Sequence, residues 1–502
     1  MRGAPLILAV DVGTSSARAC LYDAAGRPAA RSEVSLPYQP EFSADGGAWV
    51  SAPRLARLTL AAIDGAAART QRPIAAVGVS TFWHSLLGLG ANGKPVTPVL
   101  LWADQRSAAA LPWLRARLGG GHAYHQRAGT PLHPSFWPAK LRWLATTQQV
   151  PRGTRWISFA DYLCLRLFGE IRTSVSMASA TGLWHRRRHD WDEASLAALG
   201  VRRTALPEVS DEPFERPAAI VGRRWPALAG ARWYPAWGDG ACANVGSGAV
   251  RPGTLALTIG TSSALRAVVP SAREFELPQS LWRYAIDRRR HLVGGAFSEG
   301  GDVYHWLRLT LRQTAASDAE LERRLKARTA AAHGLVMLPF FAGERSPGWR
   351  PERRAVIAGL SLATTPEDVL RAGLEAVALQ LAVVLADLRS ALGTPVREIL
   401  TGGAALHQSD LWSQIVADAL AAPLTRLADA QTSARGAALL AAERAGLGAI
   451  EAAPVPRVRR FLPRAAASRR YRLAGRRQQA LYQRLSTPLP IDVDNVAKAE
   501  EQ

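Results

Sequence analysis

One stretch of this chain is written twice. Leu8-Ala9-Val10-Asp11-Val12-Gly13-Thr14-Ser15-Ser16-Ala17 returns as Leu255-Ala256-Leu257-Thr258-Ile259-Gly260-Thr261-Ser262-Ser263-Ala264, close to half of the 502-residue chain further on. In each copy an apolar run stops at a Gly-Thr-Ser-Ser turn and a second apolar run leads away. That is the pattern of two strands joined by a tight turn in which glycine takes a conformation closed to other residues. Backbone N–H groups and hydroxyls at such a turn form a concavity suited to phosphate oxygens. The repeat implies a duplicated architecture, two related bodies each presenting one hairpin. The copies differ at one position: Asp11 precedes the first turn, and Thr258 stands at the matching place in the second. Only the first hairpin can offer a carboxylate to a metal ion.

Around the hairpins, strand and helix patterns alternate. Residues 53–68 place Leu55, Leu58, Ala62, Ile63 and Ala66 at helical spacing, after a third strand expected over 29–36. Residues 74–80 read as a buried strand ending at Thr81-Phe82-Trp83-His84-Ser85, and 98–102 as another ending at Asp104-Gln105-Arg106. A mostly helical segment follows, and 208–235 is proline-rich and irregular. Trp237-Gly238-Asp239-Gly240 then leads a small-residue helix over 241–249. On residue types alone, the plainer role for Asp239 is to cap that helix. The other is a carboxylate presented at a cleft, with glycines that let a ligand approach the backbone. Beyond the second hairpin, Thr365-Pro366-Glu367-Asp368 opens a helix that runs to Gly393, and 399–401 is a strand delivering Gly402-Gly403 into a loop. A second small-residue helix covers 434–445, and a basic amphipathic helix follows Pro463 to residue 485. This alternation predicts an α/β fold with ligands beyond the carboxyl ends of strands. The expected domains are 1–248 and 249–485, with 486–502 a disordered tail.

Composition narrows the classes. A hydrophobic content of 48% suffices for packed cores. The three cysteines, Cys20, Cys164 and Cys242, lie too far apart for a disulfide framework or metal cluster, which favours a reducing cytoplasm. The apolar run before Asp11 is too short for a signal sequence, and the most apolar long stretch, 369–388, contains Arg371, Glu375 and Asp387. A soluble protein with no membrane partner is expected. The net charge of +21 invites a nucleic-acid reading, but the arginines are scattered, with isolated triplets at 186–188 and 288–290. No zinc-finger or basic-zipper spacing accompanies them, so no nucleic-acid partner is expected. A basic surface still attracts anionic metabolites.

Asp11-Val12-Gly13-Thr14-Ser15, Trp237-Gly238-Asp239-Gly240, Ile259-Gly260-Thr261-Ser262 and Thr401-Gly402-Gly403, in this order and spacing, resemble the motifs of the FGGY carbohydrate kinases. The resemblance runs from about residue 6 to 485. It leans toward gluconokinases through Trp83-His84-Ser85, Asn92-Gly93-Lys94-Pro95, Trp102-Ala103-Asp104-Gln105-Arg106, Gly129-Thr130-Pro131-Leu132-His133-Pro134 and Gly343-Glu344-Arg345-Ser346-Pro347, a set partly shared with xylulokinases. It implies an actin/Hsp70-like (ribonuclease H-like) ATPase fold, two duplicated domains around a central cleft that closes on ligand binding. It further implies ATP-dependent phosphorylation of a primary hydroxyl, D-gluconate to 6-phospho-D-gluconate as the first reading. A xylulokinase or another ketose or polyol kinase of the family is the alternative. A catalytically silent sugar- and ATP-binding regulator is the reading from a different class.

By family position, Asp239 would be the catalytic residue accepting the proton of the attacking hydroxyl. Its place at a helix N-terminus favours the ionised form at pH 7. Asp11 would hold Mg²⁺, largely through water. Gly13, Thr14, Ser15, Ser16 and Arg18 would contact ATP phosphates from one domain and Gly260 and Thr261 from the other. Gly301 and Gly403 would line the nucleotide's path, Gly403 leaving room for adenine or ribose. Trp83, His84, Asp239 and Gly240 would bind the sugar. Departures from the family pattern are Trp83, where many sugar kinases have Met, Glu299, where an amide is frequent, and a longer adenine-side loop at 404–408. Asp104 and Arg106 equally suit a structural ion pair, and Ser135 lies near a further contact position. Homodimerisation is left open.

Overall fold

The first hairpin forms as its sequence predicts. Leu6–Val12 (β1) and Ser16–Asp23 (β2) pair antiparallel, and the Gly13 N–H donates to the Ser16 carbonyl at 3.0 Å across the turn. The structure is a computed structural model and describes residues 5–147, 150–214, 223–312, 317–429 and 432–485. Val34–Pro37 (β3) extends the sheet beside β2 and begins later than expected, because Ser32 is held in a bend by its hydroxyl, which accepts from the Leu21 N–H at 3.1 Å. Ala52–Ala67 (α1) starts at a Ser51 cap with Pro53 in its first turn and buries Leu55, Ala62, Ile63 and Ala66. Ile74–Thr81 (β4) returns parallel to β1, and Arg232–Trp233 (β5) and Trp237–Gly238 (β6) both pair with β4. Of the irregular segment 208–235, residues 215–222 lie outside the described residues, as does the expected tail at 486–502.

The second sheet repeats the plan. Thr254–Ile259 (β7) and Ser263–Pro270 (β8) form the second hairpin, and Trp282–Ala285 (β9) and Arg290–Phe297 (β10) extend it beyond β8. On the other side Glu398–Gly402 (β11) lies parallel to β7, as β4 lies parallel to β1, followed by Leu424–Leu427 (β12) and Arg457–Phe461 (β13). Each body is thus an antiparallel hairpin whose first strand is flanked by a parallel strand. The long helix Pro366–Leu392 (α4) opens with a reciprocal capping box between Thr365 and Asp368 and lies in the second core. By length and composition alone it could cross a membrane, yet most of it is buried in protein. Two of its charges are internal: Arg371 pairs with Glu375 at 2.6 Å, and Tyr471 of the basic helix Ala465–Arg484 (α7) donates to the same carboxylate.

Two small-residue helices join the bodies. Asp239–Ser247 (α2) follows β6, and Thr432–Arg444 (α6), from far along the chain, packs against β1, β4 and α2 in the first core. Glycine makes the contact possible. A Cβ added at Gly436 would lie 1.8 Å from the Cys242 carbonyl oxygen, and one at Gly246 1.8 Å from that of Thr432. These are backbone atoms, which cannot swing aside as a side-chain tip can. Replacing Gly436 with Ala is expected to destabilise the protein by about 2 kcal/mol or more through overpacking. Gly230→Ala, at an open position, serves as the neutral control in the same thermal and denaturant unfolding measurements.

Candidate active site

The hairpins lie between two cavities and face both. One, of about 230 Å³, is lined by Thr14 of the first turn, by Ser262 and Ser263 of the second, and by Asp239, Trp83 and His84. The other, of about 770 Å³, is lined by Ser15 and Arg18 of the first hairpin, Gly260 and Thr261 of the second, and Gly301. The structure therefore brings most of the expected residues to one cleft and divides them between its compartments. Gly240 lies with the smaller group. Gly13 and Ser16 form the turn itself, with Ser16 buried and the Tyr38 hydroxyl donating to the Gly13 carbonyl. Residues 404–408, expected as a long loop, form a short helix whose Ala404 and Ala405 border the larger cavity.

Asp239 is the first residue of α2, and Gly238 occupies the cap position. Its carboxylate accepts from the Gly240 N–H at 2.8 Å rather than bridging to the next turn, so it does not cap the helix as residue types alone suggest. Burial raises its pKa, and this outweighs the opposing pull of the Gly240 N–H, Arg266 and Arg345. The shift runs opposite to the expectation drawn from the helix N-terminus. Asp11, 6% exposed, is likewise pushed up to about 6 by burial, and Asp239 adds to the effect. Arg18 reaches it at 3.8 Å.

The glycines around Asp239 serve a side chain. A Cβ at Gly238 would fall 1.8 Å from the Trp83 indole, and one at Gly240 2.5 Å from it. Trp83 lies across this backbone, donates its ring N–H to the Ser176 carbonyl at 3.1 Å, and turns an edge to Tyr284 at 5.0 Å. Gly403 also lacks the expected open space, since its Cβ would meet the Ile259 carbonyl at 2.4 Å, and its φ of +91° calls for glycine. His84 sits in the left-handed region at φ +66°, an uncommon place for a side-chain-bearing residue that points to a functional constraint. Its Nδ1–H donates to the Ala180 carbonyl at 2.7 Å, which leaves Nε2 as an acceptor. Burial, with Arg345 nearby, holds its pKa well below the ordinary value. Asp104 and Arg106 form an ion pair at 2.6 Å and Asp104 also accepts from the Ala48 N–H, a structural role. Ser135 is buried and donates to the Trp102 carbonyl at 2.8 Å.

The model of the N-terminal domain of the FGGY family of carbohydrate kinases matches residues 6–214, and that of the C-terminal domain matches 255–445. The chain belongs to the FGGY family of carbohydrate kinases. Among its relatives, the gluconokinase of Bacillus subtilis (strain 168) is 28% identical over 86% of this chain and 86% of its own length. The glycerol kinase of Verminephrobacter eiseniae (strain EF01-2) is 32% identical over 87% and 90%. In fold, the gluconate kinase of Lactobacillus acidophilus superposes with a TM-score of 0.88 at 24% identity, covering 97% of this chain and 99% of that one. A xylulose kinase from the same organism gives 0.88 at 24% identity over 96% and 99%. FGGY kinases use ATP as the phosphoryl donor.

Several cleft residues of this FGGY kinase carry no role in the sequence-level reading. Arg266 reaches the Thr258 hydroxyl at 2.7 Å and the Asn244 side chain at 3.3 Å, beside Asp239. Trp102, Trp282, Tyr284 and Arg345 line the smaller cavity. Lys140 is fully buried, and its amine donates to the carbonyls of His84 (2.9 Å) and Leu101 (2.8 Å), which pins the backbone beneath the left-handed histidine. Burial lowers its pKa from 10.5 to about 7. Lys140→Met leaves two buried carbonyls unpaired, with an expected cost of about 2 kcal/mol or more. Because the folded value lies below the unfolded one, Lys140 makes wild-type stability rise with pH between about 7 and 10.5. The gap between wild type and variant should therefore widen by about 1 kcal/mol per pH unit above 7, read by denaturant unfolding at pH 7 and 8.5.

Proposed function

We propose that this FGGY kinase phosphorylates a sugar acid from ATP, with D-gluconate as the first substrate to test. The observation that carries the reading is the hairpin partition. A phosphoryl group held by the hydroxyls and N–H groups of the two turns would touch both cavities at once. ATP occupies the larger cavity, with Ser15, Arg18, Gly260, Thr261 and Gly301 around its phosphates, and Gly13, Ser16 and Gly403 holding the turns and the adenine side in shape. The acceptor occupies the smaller cavity against Trp83, His84 and Asp239. Arg266 and Arg345 make that cavity positive, which suits an acid better than a neutral polyol or ketose.

Phosphoryl transfer asks the protein chiefly for positioning and charge stabilisation. Asp239 accepts the proton of the attacking hydroxyl as its oxygen bonds to the γ-phosphorus and the bond to the β-phosphate oxygen breaks. His84, fixed as an Nδ1–H tautomer, takes a hydrogen bond from a second hydroxyl at Nε2 and orients the sugar. Arg266 and Arg18 face the charge that builds on the transferred group. Asp11 suits Mg²⁺: it is a desolvated carboxylate beside the first turn, with Arg18 at 3.8 Å making an ion pair but no hydrogen bond, and no cluster of three or more metal-ligating side chains occurs among the described residues. A site of one carboxylate completed by water and phosphates is what this ion takes, and there it would neutralise phosphate charge.

Coupled ADP release across gluconate, xylulose and glycerol decides the substrate class, and no gluconate-dependent ADP would sink the sugar-acid reading. Asp239→Asn is expected to lower kcat by about 10²–10⁴ while ATP binding persists. Since Asp239 acts ionised and its pKa is raised, the acid limb of kcat/KM should fall above the ordinary carboxylate range. Full turnover by the Asn variant would overturn the catalytic assignment of Asp239.

A further inference from the structure

Seven arginines are buried among the described residues, and Arg345 differs from the other six. Arg186 pairs with Glu274, Arg371 with Glu375, and Arg435 donates to the Gly26 carbonyl; Arg266, Arg283 and Arg353 also make hydrogen bonds. Arg345 is 8% exposed, its Nε has no partner, and it forms no ion pair among the described residues. Its surroundings are aromatic. The guanidinium carbon lies 4.9 Å from the Trp102 ring and 5.8 Å from that of Trp349, while the Trp349 N–H donates to the Arg345 carbonyl at 2.6 Å. The cation thus lies against rings, and its Nε–H makes no hydrogen bond.

A buried charge without a partner is costly, and a fold retains one where a ligand completes it. Arg345 lines the same cavity as Asp239, Trp83 and His84. Tyr284 borders that cavity with a second buried, unpartnered polar group, its hydroxyl. The in-plane fork of a guanidinium matches the two oxygens of a carboxylate and takes both at once. Glu299 and Asp239 act on Arg345 through their charge but make no ion pair with it among the described residues, and burial raises the Glu299 pKa well above its ordinary value. The loop is held from outside. Glu344 accepts from the Tyr482 hydroxyl at 2.9 Å and from the Gly348 N–H at 2.9 Å, so α7 fixes the residue next to Arg345.

We propose that Arg345 is the specificity-determining residue of the acceptor cavity and pairs with the carboxylate of an aldonic acid, which leaves the distal hydroxyl for Asp239. The inference rests on the sugar-acid reading above and assigns a side chain to it.

The test compares D-gluconate with D-gluconamide, which keeps every hydroxyl and replaces only the charge, by ADP release from the full-length enzyme. Wild type is expected to prefer gluconate by about 100-fold or more in kcat/KM, as sites built around a polar partner do. In Arg345→Gln the preference should collapse to within about 3-fold, chiefly through KM, and Arg345→Lys should restore part of it. A structural role for Arg345 would lower both rates and leave their ratio intact, which overturns the proposal. A wild-type enzyme indifferent to the charge also overturns it, without need of any variant. If wild type turns over no aldonate yet accepts xylulose or glycerol, the sugar-acid reading itself fails and takes this inference with it. If gluconate is used but the ratio is unmoved, only the inference fails.

Discussion

The contact on which the cleft depends is the crossing of α2 and α6 at backbone distance. Gly246 and Gly436 leave no room for a Cβ on either helix, and Gly78 of β4 meets α6 in the same way, since a Cβ there would fall 2.1 Å from the Ala437 carbonyl oxygen. Sheet, helix and helix are therefore stacked with almost no side-chain spacer. Packing through flexible side chains tolerates shifts of tenths of an ångström, whereas packing through carbonyls and Cα atoms tolerates little. Asp239 begins α2, so its position is set by this stack. Chemistry that depends on placement gains most from such rigidity.

The two hairpins show how a duplicated element becomes one asymmetric site. In the first, Asp11 lies directly across the ladder from Arg18, and the two approach to 3.8 Å. In the second, Thr258 replaces the acid, and Arg266, two residues beyond its ladder partner Ala264, reaches its hydroxyl instead. The same backbone presents an ion pair on one side and a neutral hydroxyl under an arginine on the other. That arginine is left facing Asp239, which raises its pKa against burial, while Arg266 draws the Asp239 pKa down.

What sequence reasoning reached and missed divides along contact order. The hairpins, α1, α4 and the register of alternating elements were legible because each is local: apolar spacing, a cap three residues from its partner, a glycine at a turn. The meaning of Gly238 and Gly240 was not, because it depends on Trp83, far away in the chain, lying across them; glycine beside a carboxylate suggests room for a ligand until the indole is placed. The Asp239 pKa shift was missed for a related reason. A helix N-terminus can be read from local sequence, but complete burial cannot. Arg345 stands in the Gly343–Pro347 motif, yet only the fold brings Trp102 and Trp349 against it and leaves it without an ion pair among the described residues. The small-residue run of α6 predicts close packing, and its partner, the first sheet, comes from the opposite end of the chain.

The charges in the acceptor cavity also act on one another. Arg345 lowers the proton affinity of Asp239 while the cavity holds no anion. A carboxylate paired with that guanidinium would cancel part of its field, and Asp239 would become the stronger base at the moment an acceptor is in place. A neutral sugar would leave Arg345 uncompensated and Asp239 the weaker base. Charge recognition at one end of the cavity and basicity at the other would then be a single electrostatic property, in which the ligand that fits is also the ligand that prepares the base.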